Sequence, residues 1–266
     1  MSDDVNLDGV LETTRKSMWN GFLDSFVKTQ VNCPVHGVQE VMVSKGAKAI
    51  CPECERKREA QAAKQAEQAK RERELVKRGV PRGFFGATVL NYVPQSESQK
   101  AARSCVRKLC EGSLQEVVLL GSNGVGKTHL ACAAVKKLGG KWLTVHRLVS
   151  RIHATYSRGA QETEQDVLNE LAGLPFLAID ELGRHKNSDT VKDWLSVIVD
   201  ERHDTGLPTM ICGNAHLEAD CKAGGCDGCF ENLVGCDVLS RLQQNSRIVS
   251  ITDACDWRGR VSRRAQ

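Results

Sequence analysis

Gly121-Ser122-Asn123-Gly124-Val125-Gly126-Lys127-Thr128 meets every defined position of the phosphate-binding loop pattern G-x-x-x-x-G-K-[ST]. The apolar run Val117 to Leu120 leads into it, and His129 to Leu138 continues as a helix-forming stretch. The loop therefore joins a strand to the start of a helix. Backbone N–H groups at a helix N-terminus point at an anion, and glycines let the chain fold closely around it. Lys127 would reach the β- and γ-phosphates of a nucleotide, and the Thr128 hydroxyl would ligate Mg2+. All eight residues are candidate nucleotide-binding residues.

Further along, Phe176-Leu177-Ala178-Ile179-Asp180-Glu181 is an apolar run ending in two acids, the look of a buried parallel strand. Asp180, at the carboxyl end, would bind Mg2+ through water, and Glu181 would polarise an attacking water. The next apolar run, Thr209-Met210-Ile211-Cys212-Gly213, ends in Asn214. That asparagine either orients the water from a neighbouring strand end or caps a turn.

Around these strands the pattern alternates. Strands are expected over Glu116 to Leu120, Lys141 to Val145, Pro175 to Asp180, Thr209 to Gly213 and Ile248 to Ile251. Helical patterns separate most of them, among them Leu148 to Tyr156 and Glu164 to Leu171. Such alternation predicts an α/β fold, a parallel sheet with helices on both faces. It begins after Gly79-Val80-Pro81, giving a main domain over 79–266 whose last ten residues carry four arginines and no acid. Upstream, residues 55–78 hold nine basic and five acidic groups, with alanine where a packed helix would carry leucine. They read as a solvated helical linker whose basic surplus either contacts nucleic acid or faces water. Residues 1–32 form an N-terminal helical segment with an apolar stripe at Met18, Trp19, Phe22, Leu23 and Phe26.

With 41% apolar and 26% charged residues, the composition is that of an ordinary globular protein and excludes disordered, collagenous and coiled-coil chains. No apolar run approaches the roughly 18 residues of a membrane span. The acidic start Met1-Ser2-Asp3-Asp4 is unlike a signal peptide, so a cytoplasmic location without a membrane partner is expected. In that compartment thiols stay reduced, and clustered cysteines read first as metal ligands. Cys33-Pro34-Val35-His36 and Cys51-Pro52-Glu53-Cys54 offer four ligands for a closed tetrahedral Zn2+ site. They define a small module over 33–54, with Lys45-Gly46 as the expected hairpin turn between short strands. Cys221, Cys226, Cys229 and Cys236 are spaced less regularly and read either as a second zinc site or as reduced cysteines in an insertion. Cys105, Cys110, Cys132, Cys212 and Cys255 are scattered and read as small apolar residues.

The order of phosphate loop, Asp-Glu strand, strand ending in asparagine and later arginines resembles that of the AAA+ ATPases. Within them it is similar to the DnaC-type helicase loaders and the related IstB transposition ATPases. The resemblance covers residues 79–258. It runs through Gly79-Val80-Pro81-Arg82, Asn91-Tyr92, the phosphate loop, Ile179-Asp180-Glu181-Leu182-Gly183 and Val238-Leu239-Ser240-Arg241-Leu242. It implies an AAA+ domain hydrolysing ATP with Mg2+, with Glu181 as catalytic base and Asn214 as first sensor. Arg241 would be the finger acting on a neighbouring subunit's nucleotide, and Arg258 the second sensor. The implied partners are a hexameric replicative helicase and single-stranded DNA, with self-association or co-assembly on the helicase ring. Arg147, Arg151 and Arg158 lie where loaders carry DNA-binding elements, though ordinary helix surface reads the same way. The Cys33 to Cys54 segment resembles the zinc ribbon at the front of phage-type DnaC-like proteins.

One departure is Cys236-Asp237, where the family usually has Glu-Arg before Val238. The sequence also fits two rival functions. An IstB-like helper of a transposase usually lacks the ribbon, and a nucleotide-sensing adaptor with little turnover would not need Glu181 and Arg241.

Overall fold

Residues Phe26 to Ser44 pair as an antiparallel hairpin of β1 (Phe26–Cys33) and β2 (Gly37–Ser44), with Cys33 opposite Gly37. The computed structural model describes residues 25–184 and 188–254. The hairpin turn is therefore Pro34 to His36, not Lys45-Gly46. The reason is that the Cys-x-x-His knuckle itself reverses the chain, whereas Lys45-Gly46 has turn chemistry but no strand after it. Lys45 N bonds back to Ser25 O (2.8 Å), and residues 47–50 form no strand. Phe26 belongs to β1 instead of a helical stripe; Met18, Trp19, Phe22 and Leu23 lie outside the described residues.

Helix α1 (Pro52–Lys77) starts with Glu53 and Glu55 in its first turn and ends with Lys77, charges that suit the helix dipole. None of its side chains is buried, which explains its alanines. The chain divides into two compact units, residues 1–71 and 72–266, and the boundary falls within α1.

The second unit runs α2 (Glu97–Cys110), β3 (Glu116–Gly121), α3 (Lys127–Leu138), β4 (Lys141–Thr144), α4 (Val145–Thr155) and α5 (Glu164–Ala172). It continues β5 (Leu177–Leu182), α6 (Asp189–Asp204), β6 (Thr209–Gly213), α7 (Phe230–Val234), α8 (Cys236–Asn245) and β7 (Ser246–Ile251). Local chemistry sets the helix starts: the side chains of Ser96, Thr144, Thr163 and Ser188 each accept a backbone N–H of the first turn. At Thr163 the Asp166 carboxylate completes a capping box.

The five strands form a parallel sheet in the order β4-β5-β6-β3-β7. Because side chains alternate along a strand, Val117 and Leu119 face one core with Met210 and Cys212, packed under α2 and α3. Val118 and Leu120 face the other with Ile179 and Ile211, under α4 to α8. Both faces of the sheet are thus covered, the condition for a parallel sheet.

Arg202 is the largest fully buried side chain among the described residues. Its guanidinium donates to Thr209 Oγ1 (2.8 Å), Leu171 O (3.0 Å), Ala172 O (2.8 Å), Leu174 O (2.8 Å) and Pro208 O (2.7 Å). It satisfies the carbonyls left unpaired where α5 ends. Burial pulls its pKa down to about 10, so it stays charged at neutral pH. Arg202→Met strands these acceptors at about 1–3 kcal/mol for each one that water cannot reach. We expect thermal denaturation to show a loss of about 3 kcal/mol or more, or roughly 6–12 °C in Tm.

Candidate functional site

β3 lies between β6 and β7, and β6 lies between β3 and β5, so the parallel strands bring the phosphate loop, Asn214 and Asp180 together at their carboxyl ends. Ligands of open α/β sheets bind there. The loop is shaped by Gly126, whose φ of 98° lies in the left-handed region and where a Cβ would stand 2.4 Å from Tyr92 Cε2. The Tyr92 hydroxyl (2.9 Å) and Gln99 Nε2 (3.1 Å) both donate to Val125 O and hold the loop from behind.

Lys127 Nζ donates to Gly121 O (2.8 Å), Ser122 O (2.8 Å) and Asn214 Oδ1 (2.9 Å). Asn214 Nδ2 in turn donates to Asn123 Oδ1 (2.8 Å). The amide thus ties the lysine to the tip of the loop, and its oxygen faces the ammonium as the charges require. Thr128 Oγ1 donates to Asp180 Oδ2 (2.7 Å), Trp142 Nε1 to the same oxygen (3.2 Å) and Glu181 N to Oδ1 (2.7 Å). Burial pushes the Asp180 carboxyl up, opposed by these donors and by Lys127. A hydroxyl beside a buried carboxylate is a hard-oxygen pair of the kind that holds Mg2+ next to phosphates, so Thr128 and Asp180 fit that ion by donor chemistry.

Glu181 is the one non-glycine with positive φ (61°) among the described residues. The register of β5 against β6 shifts between Ile179 and Leu182, so Glu181 breaks the ladder and projects outward while Asp180 and Leu182 stay buried. A left-handed non-glycine residue costs about 1–2 kcal/mol, and the surrounding strands hold it there. Arg184 Nη1 binds the Glu181 carboxylate at 2.8 Å, a contact the sequence did not announce.

A cavity of about 370 Å³ joins the loop, Asp180, Glu181 and Asn214 to a wall of Phe84, Asn91, Tyr92 and Val93. His129 stands by that wall, 6.4 Å from the Phe84 ring and 5.5 Å from the Tyr92 ring, its Nε2 3.1 Å from both Thr88 O and Asn91 Oδ1. An aromatic surface with hydrogen-bonding edges suits a heterocyclic base. The sequence marks His129 only as part of a helix, and Phe84 and Val93 carry no signal of this wall.

The sequence profile of the family described as IstB-like ATP binding protein matches residues 99–264. The chain belongs to that family. The replicative helicase loader DnaC of Escherichia coli (strain K12) is 29% identical to this IstB-like chain over 180 residues, 65% of this chain and 69% of the relative. A crystal structure of the DnaC helicase loader superposes with a TM-score of 0.52 at 24% identity, covering 64% of this chain and 99% of that one. AMPPCP-bound DnaA from Aquifex aeolicus gives 0.51 at 19% identity over 67% of this chain and 54% of that one. These superpositions establish the AAA+ P-loop fold. Among the described residues no helix is long and apolar enough to cross a membrane.

Elsewhere in the IstB-like domain, Arg241 lies on α8 away from the cavity wall. Its Nε is 3.3 Å from Asp200 Oδ1 and its Nη1 3.8 Å from Asp204 Oδ1, both on α6. Arg258 lies outside the described residues. Arg151 is neutralised by Glu162 and Glu170, and Arg147 lies over the Trp142 ring at 5.7 Å.

In the first unit, Cys33, His36, Cys51 and Cys54 bring their ligand atoms within 4.8 Å of one another. His36 Nδ1 lies 3.6, 3.5 and 3.4 Å from the sulfurs of Cys33, Cys51 and Cys54. Zinc bonds of about 2.3 Å to sulfur and about 2.0–2.1 Å to nitrogen, at the tetrahedral angle, separate ligand atoms by about 3.5–3.8 Å. The hairpin turn and the start of α1 therefore present a set that fits Zn2+. The second cysteine group differs from expectation: Cys221, Cys226 and Cys229 converge with His216, which the sequence reading had passed over. The fourth place is taken without Cys236, which opens α8 and whose side chain lies outside the described residues. Counting only cysteines hid this, because His216 stands just after Asn214 on the far side of the loop.

Proposed function

We propose that this chain is an ATPase that loads a hexameric replicative helicase onto single-stranded DNA. The observation that carries the chemistry is the convergence of Lys127, Thr128, Asp180, Glu181 and Asn214 on one cavity. The likeness to DnaC loaders supports the helicase as partner. Lys127 would exchange its bonds to Gly121 O, Ser122 O and Asn214 for phosphate oxygens. Asn214, freed from the ammonium, would then orient the attacking water from the end of β6. Glu181 would turn from Arg184 to take that water's proton. Mg2+ bound by Thr128 and Asp180 would neutralise phosphate charge. Arg241, Arg258 and self-association belong to the assembled state. Of the basic residues, Arg147 and Arg158 are better placed than the neutralised Arg151 to meet DNA phosphates.

The test is capture of the replicative helicase from the native source by the purified full chain with ATP, together with ssDNA-stimulated phosphate release. Recovery of a transposase instead would replace this reading with the IstB-like helper; nucleotide binding without turnover would replace it with the adaptor. Cys51→Ser with Cys54→Ser should lose the zinc that supplies the ribbon's folding energy. It should leave the nucleotide Kd within about twofold, since the nucleotide cavity is lined by residues of the second unit alone, and should lose helicase capture. Undiminished capture would remove the ribbon from the recognition surface.

A further inference from the structure

The connection from β6 to α7, residues 214–229, contains only a three-residue helical turn at Glu218–Asp220. A stretch of that length without regular structure needs another source of order. Its ends are nonetheless fixed: His216 and Cys229 form a parallel bridge, and Phe230 N bonds to His216 O at 2.8 Å. His216 Nε2 lies 3.4 Å from Cys226 Sγ and 3.5 Å from Cys229 Sγ, and those sulfurs are 3.9 Å apart. The Cys221 sulfur falls within 4.8 Å of all three ligand atoms. Cys226 N donates to Cys229 Sγ at 3.2 Å, and Asn232 Nδ2 donates to Cys226 O at 2.9 Å, so the knuckle is braced from outside the ligand set.

We propose that His216, Cys221, Cys226 and Cys229 form a second structural zinc site, separate from the N-terminal one, that clamps the β6–α7 connection. Three thiols around one imidazole nitrogen have no other mutual use: the nitrogen can accept from only one thiol, and thiolates would repel one another without a cation. A disulfide between Cys226 and Cys229 would need about 2.05 Å between sulfurs and would break the set. Three sulfurs and one nitrogen at these separations match a closed Zn2+ tetrahedron, with no position open for substrate. Cys229 and Phe230 are both fully buried, so the ion's position is tied to the core beneath α7. The site joins the strand end bearing Asn214 to the two helices that lead to Arg241. It stands independently of the helicase-loading reading.

The experiment uses the full chain purified in zinc. Native mass spectrometry should give about two zinc ions per chain, Cys226→Ser with Cys229→Ser about one, and both Cys236→Ser and His216→Cys about two. Trypsin should cut after Lys222, which is exposed in the loop, about tenfold faster in the Cys226/Cys229 variant, because local opening sets the rate. Retained nucleotide binding would show that the variant is folded; if it does not fold, the wild-type stoichiometry decides. One zinc in the wild type, with Cys226 and Cys229 alkylated under native metal-replete conditions, overturns the site. Loss of an ion in Cys236→Ser with two kept in His216→Ala overturns the ligand set. Unchanged cutting at Lys222 in a variant that has lost the ion overturns the clamp.

Discussion

Lys127→Ala is expected to weaken nucleotide binding by about 10²-fold or more, while Glu181→Gln leaves binding within about twofold and lowers kcat by about 10²–10⁴. Two charge-assisted bonds to phosphate are worth about 1.5–3 kcal/mol each. The ammonium, however, already donates to Gly121 O, Ser122 O and Asn214 Oδ1, so part of that gain is exchange. The lower end of the summed range, about 3 kcal/mol, corresponds to about 10² in Kd. The Glu181 carboxylate is held by Arg184, so the glutamine substitution leaves the hydrogen bonds of Lys127 and Thr128 in place. Titration with a fluorescent nucleotide and steady-state phosphate release separate the two. Turnover by Glu181→Gln at the wild-type rate would transfer the base to another residue.

Arg241→Ala is expected to abolish assembly-stimulated hydrolysis, and mixing it with Lys127→Ala to restore part of it. A mixed interface pairs the intact phosphate loop of one variant with the intact arginine of the other. Arginines supplied from outside are worth about 10³–10⁵ in rate in the GTPases. Within one chain Arg241 rests on Asp200 and Asp204, with 41% of its side chain exposed. Surface pairs of that kind are worth about 0–1 kcal/mol, so releasing the arginine to a neighbour costs far less than the transition state returns. Co-assembled mixtures that show no recovery would assign Arg241 a structural role, holding α8 against α6.

The phosphate loop and the Asp-Glu strand were legible because their chemistry demands particular residue types at fixed spacing, and the five parallel strands because each is a short apolar run between turn residues. The hairpin around Cys33 was misplaced because Pro34 and Gly37 (φ 74°) fit a ligand knuckle as well as a strand reversal, while Lys45-Gly46 offered an equal turn signal further on. His216 was missed because a ligand that arrives from a strand end carries no spacing signature. The wall of Phe84, Val93 and His129 depends on how the segment before α2 folds back over α3, a long-range contact that no local pattern encodes. The bulge at Glu181 likewise arises from pairing with β6, which no local pattern in the sequence announces.

Arg202 has a consequence for motion. It lies between Asp200 and Asp204 on the last turns of α6, and its five bonds fasten that turn to the end of α5 and to the start of β6. The two acids that hold Arg241 therefore stand on a fixed post. If Arg241 acts on a neighbouring nucleotide as proposed, α6 stays in place and the travel falls to α8. The proposed zinc clamp on residues 214–229, which ties the connection ahead of α7 and α8 to the core, would then limit how far Arg241 can reach.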